Sequence, residues 1–176
     1  MSYIRIPKKR IRKLRTLSLG KEKYEFKYKN KDIDKNLIDL CSNDYFGLSR
    51  DQEVINYAYN TSLVEGLGSG SSRFISGTRP IHKALESELA KWLKRDRVLL
   101  FPSGFQANIA AIQVFADKNT LIITDKLIHN SLLVGIKASG SKLVRFLHND
   151  LNDLKKKLSK YAKNQRILVV IESLYS

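Results

Sequence analysis

From residue 97 onward, short apolar runs alternate with longer stretches whose apolar residues recur at helical spacing. RVLLF (97–101), LIITD (121–125), KLVRFLH (142–148) and RILVVIESL (166–174) read as strands, since each is a brief run rich in branched residues. SGFQANIAAIQVFA, NSLLVGIKAS and NDLNDLKKKLSKYA lie between them and read as helices of ten or more residues. The strands lack strong in-and-out alternation, which predicts a parallel sheet with helices covering both faces. The fold class is therefore α/β, with βαβ units. In such sheets ligands bind beyond the carboxyl ends of the strands. The turns at 103–105, 125–130, 148–150 and 173–176 all follow strand ends and are expected on that one edge.

Upstream the pattern is less regular. HKALESELAKWLKR places Leu85, Leu89, Trp92 and Leu93 on one helical stripe, which predicts an amphipathic helix with Trp92 in the core and Pro80 in its first turn. DQEVINYAYNTSLVEG predicts a second helix, with Asp51 as N-cap and Gly66 as stop. CSNDYFGLS (41–49) reads as a packed loop with turn chemistry at Asn43, Asp44 and Gly47. Residues 21–40 read as two short antiparallel strands about the turn KNKD. Residues 1–20 mix Lys and Arg with Ile4, Ile6, Ile11, Leu14, Leu17 and Leu19, a spacing that permits a short basic helix lying on a body or a partner. The chain thus divides into an N-terminal arm, 1–40, with a small antiparallel piece, and an α/β part, 41–176.

GLGSGSSRFISGTRP (66–80) stands apart. A flexible linker accounts for its glycines and serines, but not for Phe74, Ile75, Arg73 and Arg79 in the same stretch. A binding loop accounts for both.

Composition narrows the function classes. The chain has 176 residues, 43% of them hydrophobic, which suffices for a real core, and no apolar run approaches a membrane span. The basic N-terminus is followed by no apolar segment of the kind that makes a secretory signal. The single cysteine, Cys41, excludes an internal disulfide and a cysteine-cluster metal site, and no metal site is expected. These features point to the cytoplasm. The net charge is +15, from 32 Lys+Arg against 17 Asp+Glu. A basic anion- or nucleic-acid-binding module is the alternative this raises. No finger spacing, helix-turn-helix or arginine-plus-aromatic motif accompanies the charge, so a lysine-rich solvated surface is the preferred account.

The candidate chemistry gathers at the strand ends. FPSGFQAN reads as strand, tight turn and helix start, where free backbone N–H groups and the helix dipole favour an anion such as phosphate. Gly104 lets the backbone approach a ligand closely. His129 precedes a helix on the same edge, as a capping histidine or a site residue. His148 also follows a strand, but HND reads as a helix cap and is assigned a structural role. Ser176 ends the last strand segment on that edge.

The motifs SNDYFGLS, GLGSGSSRFISGTRPIHKALE, LLFPSGFQAN, DKLIHNSLL and RFLHNDL, in this order, resemble those of the α-oxoamine synthases. These are pyridoxal 5'-phosphate enzymes of the aminotransferase type-I fold. The resemblance implies that Gly104 and Phe105 meet the cofactor phosphate. It implies that His129 stacks on the pyridoxal ring near the substrate, and that Ser176 contacts the cofactor. Arg15, or less closely Arg12, matches an arginine that contacts the acyl substrate. Residues 66–80 match a segment near the active site and the dimer partner. The implied reaction, in the branch serving biotin synthesis, is decarboxylative condensation of L-alanine with pimeloyl-CoA or pimeloyl-carrier protein, by a homodimer that uses neither nucleic acid nor membrane. Other branches take glycine or serine. In the family, the aspartate on the pyridine nitrogen, a further histidine and the Schiff-base lysine lie downstream of the last motif here. No lysine of this chain sits in that motif, so no catalytic residue is nominated. The expectation is a partial fold, an arm plus an incomplete sheet with an open edge prone to aggregation, inactive by itself.

Overall fold

The structure is a computed structural model that describes residues 14, 16–19, 25–30, 33–162 and 166–175. The chain forms two compact units, Met1–Arg79 and Pro80–Ser176.

In the first unit, β1 (Ser18–Leu19), β2 (Glu25–Asn30) and β3 (Ile33–Ile38) form an antiparallel sheet in that order. The expected hairpin is present, with Glu25 opposite Ile38 and Asn30 opposite Ile33. Most of the basic helix expected over 1–20 lies outside the described residues. Its end, Ser18–Leu19, is instead a strand on the free edge of β2, where pairing satisfies backbone groups that an isolated helical turn would leave open. The loop at 41–49 is held by polar bonds rather than by apolar packing. The Asp44 carboxylate accepts from Leu48 N at 2.8 Å and Ser49 Oγ at 2.7 Å, while Tyr45 and Phe46 are exposed. A 3-10 turn, Leu48–Arg50, leads into α1 (Gln52–Glu65). As expected, the Asp51 carboxylate caps α1, accepting from Glu53 N and Val54 N, and Gly66 ends it with a φ of 76°.

The second unit runs α2 (Pro80–Leu93), α3 (Gly104–Phe115), β4 (Thr120–Asp125), α4 (Asn130–Ser139), β5 (Lys142–Phe146), α5 (Leu151–Tyr161) and β6 (Arg166–Val170). Its sheet has the order β5-β4-β6, and β4 pairs in parallel with both neighbours. All of β4 is buried, as its unbroken apolar run predicts for a central parallel strand. On one face Ile122 packs with Ile112 of α3, Leu132 and Ile136 of α4, and Ile128 of the turn before α4. On the other, Leu121, Ile123 and Phe146 pack against Leu154 and Leu158 of α5. Helices therefore cover both faces, and the α/β reading holds.

In this unit two expectations fail. Residues 97–101 form no strand. Both edges of β4 are taken by β5 and β6, and the segment is tied instead by Leu100 N, which donates to Glu86 Oε1 at 3.3 Å. Trp92 is 77% exposed rather than core, while Glu86 is buried. The bond to Leu100 turns inward a face about 120° round the helix from Trp92, at about 100° per residue.

Candidate active site

The N-terminus of α3 is built by Ser103. Its hydroxyl accepts from Gln106 N at 3.2 Å and its carbonyl from Ala107 N at 3.1 Å. Among the described residues, no acceptor faces the N–H groups of Gly104 and Phe105. A Cβ on Gly104 would meet nothing within 4 Å, so the backbone is open on that side of the turn. This arrangement fits an anionic group at a helix start.

His129 caps α4 as the sequence allows. Its Nδ1 accepts from Ser131 N at 3.2 Å and lies 2.6 Å from Ser131 Oγ. Asn108 Nδ2 of α3 donates to the same hydroxyl at 2.8 Å. The backbone N of His129 donates to Glu172 Oε2 at 2.6 Å. The ring stands edge-on to Phe105, with centroids 6.5 Å apart. Gly104, Phe105 and His129 are therefore brought together, while Arg15 and Ser176 lie outside the described residues.

A second cluster ties the three strand ends. The Asp125 carboxylate, at the end of β4, is 1% exposed. It accepts from Leu127 N at 2.8 Å and Asn149 N at 3.1 Å, and both its oxygens are 3.1 Å from His148 Nδ1. Burial pushes its pKa up, but the donors Leu127 and Asn149 and the His148 ring outweigh burial, and the net shift is downward. His148 stands edge-on to Tyr175, with centroids 4.9 Å apart, and Tyr175 OH accepts from Glu172 N at 3.1 Å. His148 is structural, but through Asp125 rather than as a cap. Asp150 caps α5, accepting from Asp153 N. Asn108, Ser131, Glu172 and Tyr175 were not singled out in the sequence. The one local signal is Ser131, two residues after His129 in the first turn of α4.

In the first unit, the glycine-rich stretch is an ordered loop. Gly66, Gly68 and Gly70 have positive φ, which glycine tolerates without strain. Ser72 O accepts from Ile75 N at 3.0 Å and Gly77 N at 2.9 Å, and Thr78 Oγ1 donates to Arg73 O at 2.6 Å. A Cβ on Gly77 would overlap the Ser71 carbonyl. Gly77→Ala is expected to open this loop without unfolding the second unit. Hydrogen exchange should speed up at Ile75 and residue 77 while β4 amides stay protected. Unchanged protection of the loop would contradict the close fit.

The profile of the aminotransferase class I and II family matches residues 35–176. The chain belongs to this family. It is 44% identical over 139 residues to 8-amino-7-oxononanoate synthase of Salmonella schwarzengrund, covering 79% of this chain and 36% of that protein. Among solved structures it resembles Sphingomonas wittichii serine palmitoyltransferase, with 31% identity and a TM-score of 0.81 over 89% of this chain and 38% of that one. It also matches a serine palmitoyltransferase solved with pyridoxal phosphate, with 29% identity and a TM-score of 0.83 over 93% of this chain and 40% of that one. The chain thus spans 36–38% of the length of the curated relatives. Among the described residues, no helix is long and apolar enough to cross a membrane.

Proposed function

We propose that this aminotransferase-family chain supplies the phosphate-binding and ring-stacking part of a pyridoxal-phosphate-dependent acyltransferase that makes 8-amino-7-oxononanoate. The supporting observation is the pair of open N–H groups at Gly104 and Phe105, beside the His129 ring, on the ligand edge of the sheet. Gly104 and Phe105 would hold the cofactor phosphate, and His129 would stack on its ring near the substrate. Ser176 is assigned to the cofactor and Arg15 to the acyl group. When bound, the cofactor acts as an electron sink for the charge left when the amino acid loses CO2. The chain's own residues bind and orient it, and no lysine here is assigned its covalent attachment.

The product in the relative's name supports the substrates. Its carbon chain is a pimeloyl group plus the two carbons that alanine keeps after decarboxylation. The condensation joins L-alanine to pimeloyl-CoA or pimeloyl-carrier protein, releasing CO2 and the thiol, for biotin synthesis. A cytoplasmic homodimer completes the reading.

Because a Cβ at Gly104 fits, Gly104→Ala should fold like the parent yet fill the space a phosphate needs. Its affinity for pyridoxal phosphate, followed by broadening of the 31P resonance, should fall about tenfold, roughly 1.4 kcal/mol. Equal affinity would refute the phosphate assignment. Release of labelled CO2 from carboxyl-labelled alanine, glycine or serine tests the substrate in the whole synthase. A preference for glycine or serine would overturn the alanine assignment.

A further inference from the structure

Two groups of Ser131, its backbone N–H and its hydroxyl, meet the Nδ1 nitrogen of His129. A backbone N–H cannot accept, so Nδ1 must be the acceptor in its 3.2 Å bond with Ser131 N. An unprotonated Nδ1 in turn requires the Ser131 hydroxyl, 2.6 Å away, to give it its one proton. The Ser131 oxygen can then only accept from Asn108 Nδ2, at 2.8 Å. Ser131 is fully buried, with 0% exposure, so bulk water offers the hydroxyl no other partner. The three bonds run one way, from Asn108 through Ser131 to His129. A separate anchor holds the backbone, since His129 N donates to Glu172 beyond β6.

We propose that Asn108 and Ser131 are positioning residues that fix His129 as its Nε2–H tautomer and hold its ring plane. The ring then offers a hydrogen-bond donor, not an acceptor, on the side where the chain gives Nε2 no partner among the described residues. What that donor meets rests on the cofactor reading above, while the tautomer does not. The relay spans two helices: Asn108 lies on α3, and Ser131 lies on α4 just after its N-cap, His129.

The test uses the full chain labelled with 15N-histidine. It has three histidines, so His82→Gln and His129→Gln assign the resonances. Two-bond 15N–1H correlations distinguish the tautomers, and the parent should show a proton on Nε2 of His129 alone. Asn108→Asp keeps the shape but replaces a donor by an acceptor, drawing the Ser131 proton away and favouring a proton on Nδ1. Ser131→Ala, a smaller change in a buried site, removes one of two donors and should raise the Nδ1–H population about fivefold. A proton on Nδ1 in the parent overturns the proposal, as does an unchanged pattern in either folded variant. Pyridoxal phosphate added to the parent separates the two readings. Unshifted His129 resonances would count against the cofactor placement, while the Nε2–H pattern recorded without cofactor would still support the relay.

Discussion

Gly135→Leu should unfold the Pro80–Ser176 unit under conditions where Gly135→Ala leaves it folded. Gly135 lies in α4, where the helix crosses α3. A Cβ there would sit 3.0 Å from Ile112 Cβ and 3.2 Å from the Ile109 Cα. The second neighbour is backbone, which cannot rotate aside. For alanine two effects oppose each other. Helix propensity favours it by about 1 kcal/mol, and overpacking costs about 1–3 kcal/mol, so the variant loses at most about 2 kcal/mol. Leucine gains the same propensity but must place three more carbons where there is no room. The loss then approaches the total stability of a domain, about 5–15 kcal/mol. Thermal melts followed by circular dichroism measure both variants. A leucine variant as stable as the parent would show that α3 and α4 do not approach this closely. The alanine variant bears on function, because α3 carries Gly104, Phe105 and Asn108 and α4 carries Ser131 behind its cap, His129. Prising the helices apart by tenths of an ångström lengthens the Asn108–Ser131 bond before it unfolds anything.

The order from α3 to β6 was legible because each element there announces itself locally, through an apolar run, a helical stripe or a cap. Ser103, Asp150 and Gly140 mark helix ends where their residue types predict. Trp92 and residues 98–101 were misread for a common reason. A stripe or a run says that a surface is apolar, not what lies against it. Here the deciding contact is a single polar one, between Glu86 and Leu100, fourteen residues apart. The site divides in the same way. Gly104, Phe105 and His129 stood out because a strand-end turn and a resemblance both pointed to them. Asn108 and Glu172 did not, since their meaning comes from partners 23 and 43 residues away, brought near only by the tertiary fold. Asp125 ends LIITD, where the sequence marked only the start of the 125–130 turn.

Asp125→Ala should cost the second unit on the order of 2–4 kcal/mol, with Asp125→Asn falling between it and the parent. Alanine leaves the N–H groups of Leu127 and Asn149 without their acceptor, and leaves His148 Nδ1 facing a void. Asparagine keeps one acceptor oxygen, but its amide nitrogen turns a donor toward one of the same N–H groups. The pH dependence gives the sign of the charge's role. The folded carboxyl has a pKa below its ordinary value of 3.8. Its contribution is therefore fully present above the unfolded value and is lost as pH falls through the lower, folded one. The parent should lose stability on acidification below about 4, and Asp125→Asn, with nothing to protonate there, should show a flatter acid limb. Denaturant melts between neutral pH and pH 3 measure both. The consequence extends beyond stability. Asp125 holds His148, His148 packs on Tyr175, and Tyr175 OH accepts from the backbone of Glu172, whose carboxylate fixes the start of α4 at His129. Loosening the carboxylate at the end of β4 should therefore broaden the His129 resonances while the α3–α4 core remains packed. If Asp125→Asn matches the parent in neutral stability, acid limb and His129 line shape, the strand ends are joined by something other than this carboxylate.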